Sequence, residues 1–584
     1  MNKYDNKTNI PDKYMWNLTD IYSDLDALND VLKSIDKKID ELSLYVDSLN
    51  NHDTLYNFLE EYNQVIFELD RINNYLFLLN AEDMTRNDCS DKLNYYKKIS
   101  EKVSNIYTRL ISYISVLNKE EYNNLINDTR LSKYKNMLDD IINNQKRTIN
   151  IDYSFFNKRQ ELYNSINDFG TVEVDGESIT INKGNISSLL DNKDRNVRED
   201  AYNKYRSQFT KHIDEFASYL NGHVKSNNDE SIKNGFNNYI DYVLFNRNIP
   251  SKILDILSSI TDRSNQFHYY EYLKDTLKID KLRLYDVDQP LMSYDKNYSV
   301  EDAQQMCLDT VSIFGKEYYD LFKGIFDNKD INYYYYNNRN NGNFCCPING
   351  GHSKIMLTFN DDISSVYKMI HECGHSVNHQ LVNLNNDIMH RRIDTIIAEI
   401  ASITNEMLLS NYLINNSIDN KEKQFGIARL LNIYNNYFYG YTSHLNIMRD
   451  MYIYSKDGNE LSSQYLNELC DKYQKKQYGD CFEPDEYSSQ LWILKQLYYR
   501  DFYPLAYILG VVVSANIINL INNGDKDIIN NYIKYLSLGS DISITDRIKV
   551  LGIDICDEKV YINAINYYDE LLMKYIELTK EKVK

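Results

Sequence analysis

The chain has 584 residues with only 6 Pro and 19 Gly, and 43% of it is hydrophobic. Backbone breakers this sparse exclude a collagen-like, linker-rich or disordered chain and imply a large, mostly α-helical globular protein. Lys and Arg number 65 against 85 Asp and Glu, a net charge of −20. That field repels phosphate backbones and anionic lipid, so neither nucleic acid nor a membrane is expected as a partner.

The eight cysteines are scattered without a C-x-x-C pair. In so long a chain this is no disulfide framework and fits a reducing, cytoplasmic compartment. Met1 to Tyr14 lacks the apolar stretch of a signal peptide.

In chain order, Ser23 followed by Asp26 predicts a helix start capped by Ser23. Leu25, Leu28, Leu32, Ile35, Ile39 and Leu42 then recur at steps of three and four, one apolar stripe of an amphipathic helix. Similar stripes continue to about residue 165 without a fixed repeat, which favours antiparallel helical hairpins. Residues 172–181 alternate around Asp175-Gly176, the pattern of a tight β-hairpin. This hairpin marks the expected boundary between an N-terminal helical domain, 1–190, and a catalytic domain, 191–584.

Helical periodicity resumes at Asp194 and breaks from about Asn332 to Asn360, where Gly342, Pro347, Gly350 and Gly351 precede a strand-like run, Lys354 to Phe359. The apolar run Leu505 to Ile521, interrupted by Ser514, Asn516 and Asn519, is shorter than a comfortable membrane span and predicts a buried helix.

The chemistry is concentrated in His371-Glu372-Cys373-Gly374-His375, after a cap at Asp361 or Asp362. Histidines four apart project from one helical face and can share a Zn²⁺, with Glu372 beside them but free of the metal. In a chain with ten His, a chance H-E-x-x-H is expected on the order of 1% of the time, which outweighs the alternative of two histidines on an exposed helix.

A third ligand must come from another element. His379 lies two turns from His371, about 12 Å of rise, too far to share an ion in an unbroken helix. Glu399, 24 residues beyond His375, sits in an apolar helical stretch where a carboxylate needs a cation. Asp394 is the weaker candidate, and Glu406, seven residues on, either orients a ligand imidazole or is an ordinary solvated acid.

These residues stand within a wider pattern. It includes Trp16 to Tyr22, L-L-D-N-K-D-R-N-V-R-E-D-A-Y at 189–202, Leu220-Asn221-Gly222, N-I-P at 248–250 and G-N-F-C-C-P before the motif. It continues through A-E-I-A-S-I-T-N-E at 398–406, Tyr478-Gly479-Asp480, Phe502-Tyr503 and Leu538 to Asp541. Over nearly its whole length the chain resembles the oligoendopeptidase F family of zinc metallopeptidases, relatives of thimet oligopeptidase.

The resemblance implies a two-lobed ellipsoid of helices around a deep substrate channel, with a small β-sheet near the zinc. It implies endopeptidic cleavage of short, unstructured peptides by one Zn²⁺ held by His371, His375 and Glu399, with Glu372 as general base. It also implies that Gly374 lets a neighbouring element approach, and that Lys354 to Phe359 is a substrate-binding edge strand.

The chain departs from the family at the late W-x-x-I-P-H-x-Y-x-x-F-Y-x-Y-x-Y segment, which reads W-I-L-K-Q-L-Y-Y-R-D-F-Y-P-L-A-Y at 492–507. Leu497 replaces the histidine and Leu505 a tyrosine. Tyr503 and Tyr507 remain as oxyanion partners, and Tyr498 or Tyr499 could substitute. Two alternatives stay open: a carboxypeptidase or dipeptidyl carboxypeptidase, for which Arg391, Arg392 or Arg500 would hold the substrate carboxylate, and a zinc-retaining peptide-binding protein.

Overall fold

The structure, a computed structural model, describes residues 4–144 and 149–580. Most of these are helical, with a two-stranded and a three-stranded sheet. The chain divides into two compact units, each assembled from three segments: 1–148, 295–409 and 521–552 form the first, and 149–294, 410–520 and 553–584 the second. Compactness therefore does not follow a single cut near residue 190.

The first unit begins with the helix Leu25–Tyr45, which buries Leu28, Leu32, Ile35, Ile39 and Leu42. Its cap is Asp24, not Ser23: the Asp24 carboxylate accepts from the Asp26 and Ala27 N–H groups. His52–Glu82 and Ser90–Ser115 pack beside it around Phe58, Ile72, Ile99 and Leu110. Cys346 and Met356 join the same core, which seats the sheet on the helices.

In that sheet β5 (Lys354–Met356) is central, parallel to β3 (Ile331–Asn332) and antiparallel to β4 (Phe344–Cys346). The expected edge strand at 354–359 is thus an interior one, because both of its sides are paired; β3 and β4 are the edges. Buried Lys354 pins the sheet with Nζ contacts of 2.7 Å to both Asp330 and Asp20.

In the second unit, β1 (Thr171–Val174) and β2 (Glu177–Thr180) form the expected hairpin, and Asp175 and Gly176 both turn through positive φ, 51° and 85°. The helix Arg195–Thr210, capped by Asp194, directs Arg195 and Arg198 onto buried Asp286. This ion cluster accounts for two of the charges in the run at 189–202. The helix Pro504–Asn522 has the length and apolarity of a membrane span, but 78% of its apolar window is buried, as a core helix requires.

Candidate metal centre

The helix Ile363–Asn385 starts at Asp362, whose Oδ1 accepts from the Ser365 N–H at 2.7 Å. Asp361, the other candidate cap, instead takes a positive φ of 56° and accepts from the Tyr334 hydroxyl. One helical turn separates His371 from His375, and their rings meet edge-on with centroids 4.9 Å apart. Glu399 approaches from the helix Thr395–Asn416. One ligand atom from each of His371, His375 and Glu399 lies within 4.8 Å of the others.

Two features hold this crossing together. Gly374 leaves room that a side chain would fill, since a Cβ there would stand 3.1 Å from both the Ala401 oxygen and the Ser402 Cα. Asn405 then bridges the helices, donating to the Ile370 carbonyl at 3.3 Å and accepting from the Tyr318 hydroxyl at 3.1 Å. Neither Asn405 nor Tyr318 was visible as a site residue in the sequence, since neither carries metal chemistry.

His371 is held at both nitrogens: Nδ1 hydrogen-bonds to Glu406 Oε1 at 2.8 Å, and Nε2 stands 3.9 Å from Glu399 Oε2. Glu406 thus orients a candidate ligand, the arrangement that fixes ring position and raises imidazole basicity. Asp394 serves as a local cap, its Oδ1 accepting from the Ile396 N–H. His379 lies outside the triad, and burial lowers its pKa to about 4.

The electrostatics call for a cation. Burial alone would lower the pKa of His371, but the Glu406 hydrogen bond and the charges of Glu406, Glu372 and Glu399 raise it to about 9. Burial, with the His371 charge adding, holds His375 well below the usual range. Burial also pushes Glu372 up to about 7, opposed by His371 and reinforced by Glu399 and Glu406. Two imidazoles and a carboxylate converging in a half-buried, acidic site fit a metal such as zinc, which takes this donor set and compensates its charge.

Strand β4 borders Glu372. The Ile355 and Leu357 N–H groups bond to Asp330 and Asn332 on one side of β5, so alternation turns Phe344 and Cys346 towards β5 and the main chain of Cys345 away from the sheet. Its N–H favours the ionised form of Glu372.

Tyr503 and Tyr507 belong to the second unit, where their hydroxyls hydrogen-bond to each other at 2.6 Å. Tyr498 is fully buried and bonds to His444 Nδ1 at 2.7 Å; Tyr499 packs against His223. Leu505 is core.

Two histidines and a glutamate on crossing helices, with a further glutamate next to the first histidine, define a metal-dependent hydrolase site of the H-E-x-x-H class. The model of peptidase family M3 matches residues 188–567. The chain belongs to that family, and is a metallopeptidase. It is 24% identical to an oligoendopeptidase F homologue of Borreliella burgdorferi, over 96% of this chain and 98% of the relative. It is 23% identical to oligopeptidase PepF of Bacillus subtilis, over 98% and 89%.

Among solved structures, a peptidase of Chlamydophila abortus superposes with a TM-score of 0.86 at 19% identity, over 99% of this chain and all of the other. Oligoendopeptidase F of Enterococcus faecium gives 0.72 at 20% identity, over 95% and 99%. These likenesses establish the fold.

Proposed function

We propose that this chain hydrolyses internal bonds of short, unstructured oligopeptides at a single zinc ion held by His371, His375 and Glu399. The observation that carries this reading is the convergence of those three ligand atoms within 4.8 Å beside Glu372. A bound zinc supplies Lewis-acid polarisation of the scissile carbonyl and a water of lowered pKa. Glu372 takes the proton of the attacking water and delivers it to the departing amine. Glu406 keeps the His371 ring in place.

The outward carbonyl of Cys345 on β4 offers a peptide N–H an acceptor beside Glu372. Tyr503 and Tyr507 are assigned to the oxyanion, a role supported by their partial exposure while Tyr498 and Tyr499 are buried. Eight free thiols support a reducing, cytoplasmic setting.

The test pairs metal analysis with a quenched-fluorescent peptide assay. Glu372→Gln is expected to keep one zinc per chain and lose about 100- to 10,000-fold in turnover. Tyr503→Phe or Tyr507→Phe should lower kcat with little change in KM. Purified protein without stoichiometric zinc, or full cleavage by Glu372→Gln, would falsify the reading.

A further inference from the structure

A half-open cleft of about 520 Å³ lies in the first unit, between β4 and the helices His52–Glu82 and Ser90–Ser115. Its volume is that of a small-ligand site. Leu76, Cys89 and Cys346, all buried, form its floor, and Phe77 and Phe344 line it with ring centroids 5.0 Å apart. Leu93, exposed like Phe77, stands at the mouth.

The strongest polar groups at the cleft are turned to other partners. Asn74 donates to the Pro347 carbonyl at 2.8 Å, and Arg86 donates to Asp88 at 2.9 Å. An ionic guest would have to compete with the Arg86–Asp88 pair, whereas an apolar one removes the surfaces of Phe77 and Leu93 from water.

Position joins this cleft to the candidate metal centre. Phe344 and Cys346 direct their side chains to the helical core that contains Phe58 and Ile72. Cys345, between them, faces the helix Ile363–Asn385 closely enough to feel the charge of Glu372. The cleft therefore lies on the face of β4 away from that helix, and the Cys345 carbonyl sits on the edge between the two faces. A peptide whose N–H bonds to this carbonyl extends the sheet, and its side chains alternate between the faces. The residue opposite Cys345 points to the helix Ile363–Asn385, and its neighbours point to the cleft.

We propose that the cleft is a specificity subsite, taking one large apolar side chain, aromatic or aliphatic, from a substrate residue adjoining the one opposite Cys345. The proposal rests on the reading that this chain cleaves peptides, and adds which peptides it prefers.

The test uses acetylated octapeptide amides of alternating Ala and Ser that carry a single Phe, with rates and cleaved bonds read by mass spectrometry. At one fixed distance from the cut, Phe should raise kcat/KM about tenfold or more over the Phe-free peptide; Leu should act like it and Asp should not. Moving the Phe by one residue should move the cut by one residue. Leu93→Glu should bring the Phe advantage below about twofold and give Lys at the same distance an advantage of about tenfold. A merely structural change would slow the Phe and Phe-free peptides equally. If Leu93→Glu does not fold, Ser90→Trp, which fills the mouth, must abolish the Phe advantage.

Cuts that ignore the position of the Phe, or an advantage that survives both substitutions, overturn the proposal and leave the endopeptidase reading standing. If no peptide is cleaved, that reading falls, and calorimetry on the zinc-loaded protein tests the subsite by itself. The Phe peptide should then bind about tenfold more tightly than the Phe-free one, and equal binding overturns the proposal.

Discussion

Replacing Gly374 by alanine perturbs the metal centre through the backbone alone. The new methyl would meet Asn405 Nδ2 at 2.9 Å and the Ala401 oxygen and Ser402 Cα at 3.1 Å, where ordinary contact begins at 3.4 Å. The amide can swing away, but two main-chain atoms cannot, so the helix Thr395–Asn416 must retreat by about 0.3 Å or more. That helix carries both Glu399 and Glu406, so the shift consumes more than half of the about 0.5 Å of error a ligand set tolerates.

Overpacking costs about 1–3 kcal/mol, and removing a helical glycine returns about 1 kcal/mol. Net stability should thus fall by no more than about 2 kcal/mol, while zinc affinity falls about 10- to 100-fold, as for loss of a supporting contact. Competition with a chromogenic chelator gives the zinc Kd, and urea unfolding gives the stability. A Gly374→Ala protein whose zinc Kd lies within twofold of the parent would refute the argument that this glycine sets the helix spacing at the metal.

Glu406→Gln keeps the shape of the His371 contact and removes its charge, so chelator competition should show zinc binding weakened by about 10- to 100-fold with the fold intact. Acid sensitivity has a separate source in the second unit. Burial lowers the pKa of His223 to about 4, so the unfolded chain takes up this proton first. The stability it confers is present above the unfolded value near 6.5 and is lost as pH falls from there towards 4. Between pH 7 and pH 5 the loss is about 2 kcal/mol; urea midpoints at the two values should show it, and His223→Gln should reduce the difference.

Local signals carried most of what the sequence revealed. The stripe from Leu28 to Leu42 and the Asp175-Gly176 turn depend on neighbours within a few residues, and both formed as their periodicity and chemistry require. The candidate metal centre was legible for a related reason: a four-residue spacing fixes His371 and His375 on one face, and a carboxylate at position 399 in an apolar helix needs a cation.

What failed was decided elsewhere. Ser23 and Asp24 are both good caps, and the choice between them turns on the extended backbone of Asp24. Alternation at Lys354 to Phe359 predicts a strand but not its place in the sheet, which depends on β3 and β4 pairing to either side.

Buried charge ties these observations together. In two structural clusters the chain pairs its buried ions itself: Lys354 has Asp330 and Asp20, and Arg195 and Arg198 share Asp286. The candidate metal centre does not close in this way. Around His371 and His375, the carboxylates of Glu372, Glu399 and Glu406 surround a single cationic imidazole, an excess of negative charge that a divalent metal corrects. A buried charge left unmatched is destabilising, so the excess of carboxylates beside His371 and His375 is the physical argument that a cation completes this site.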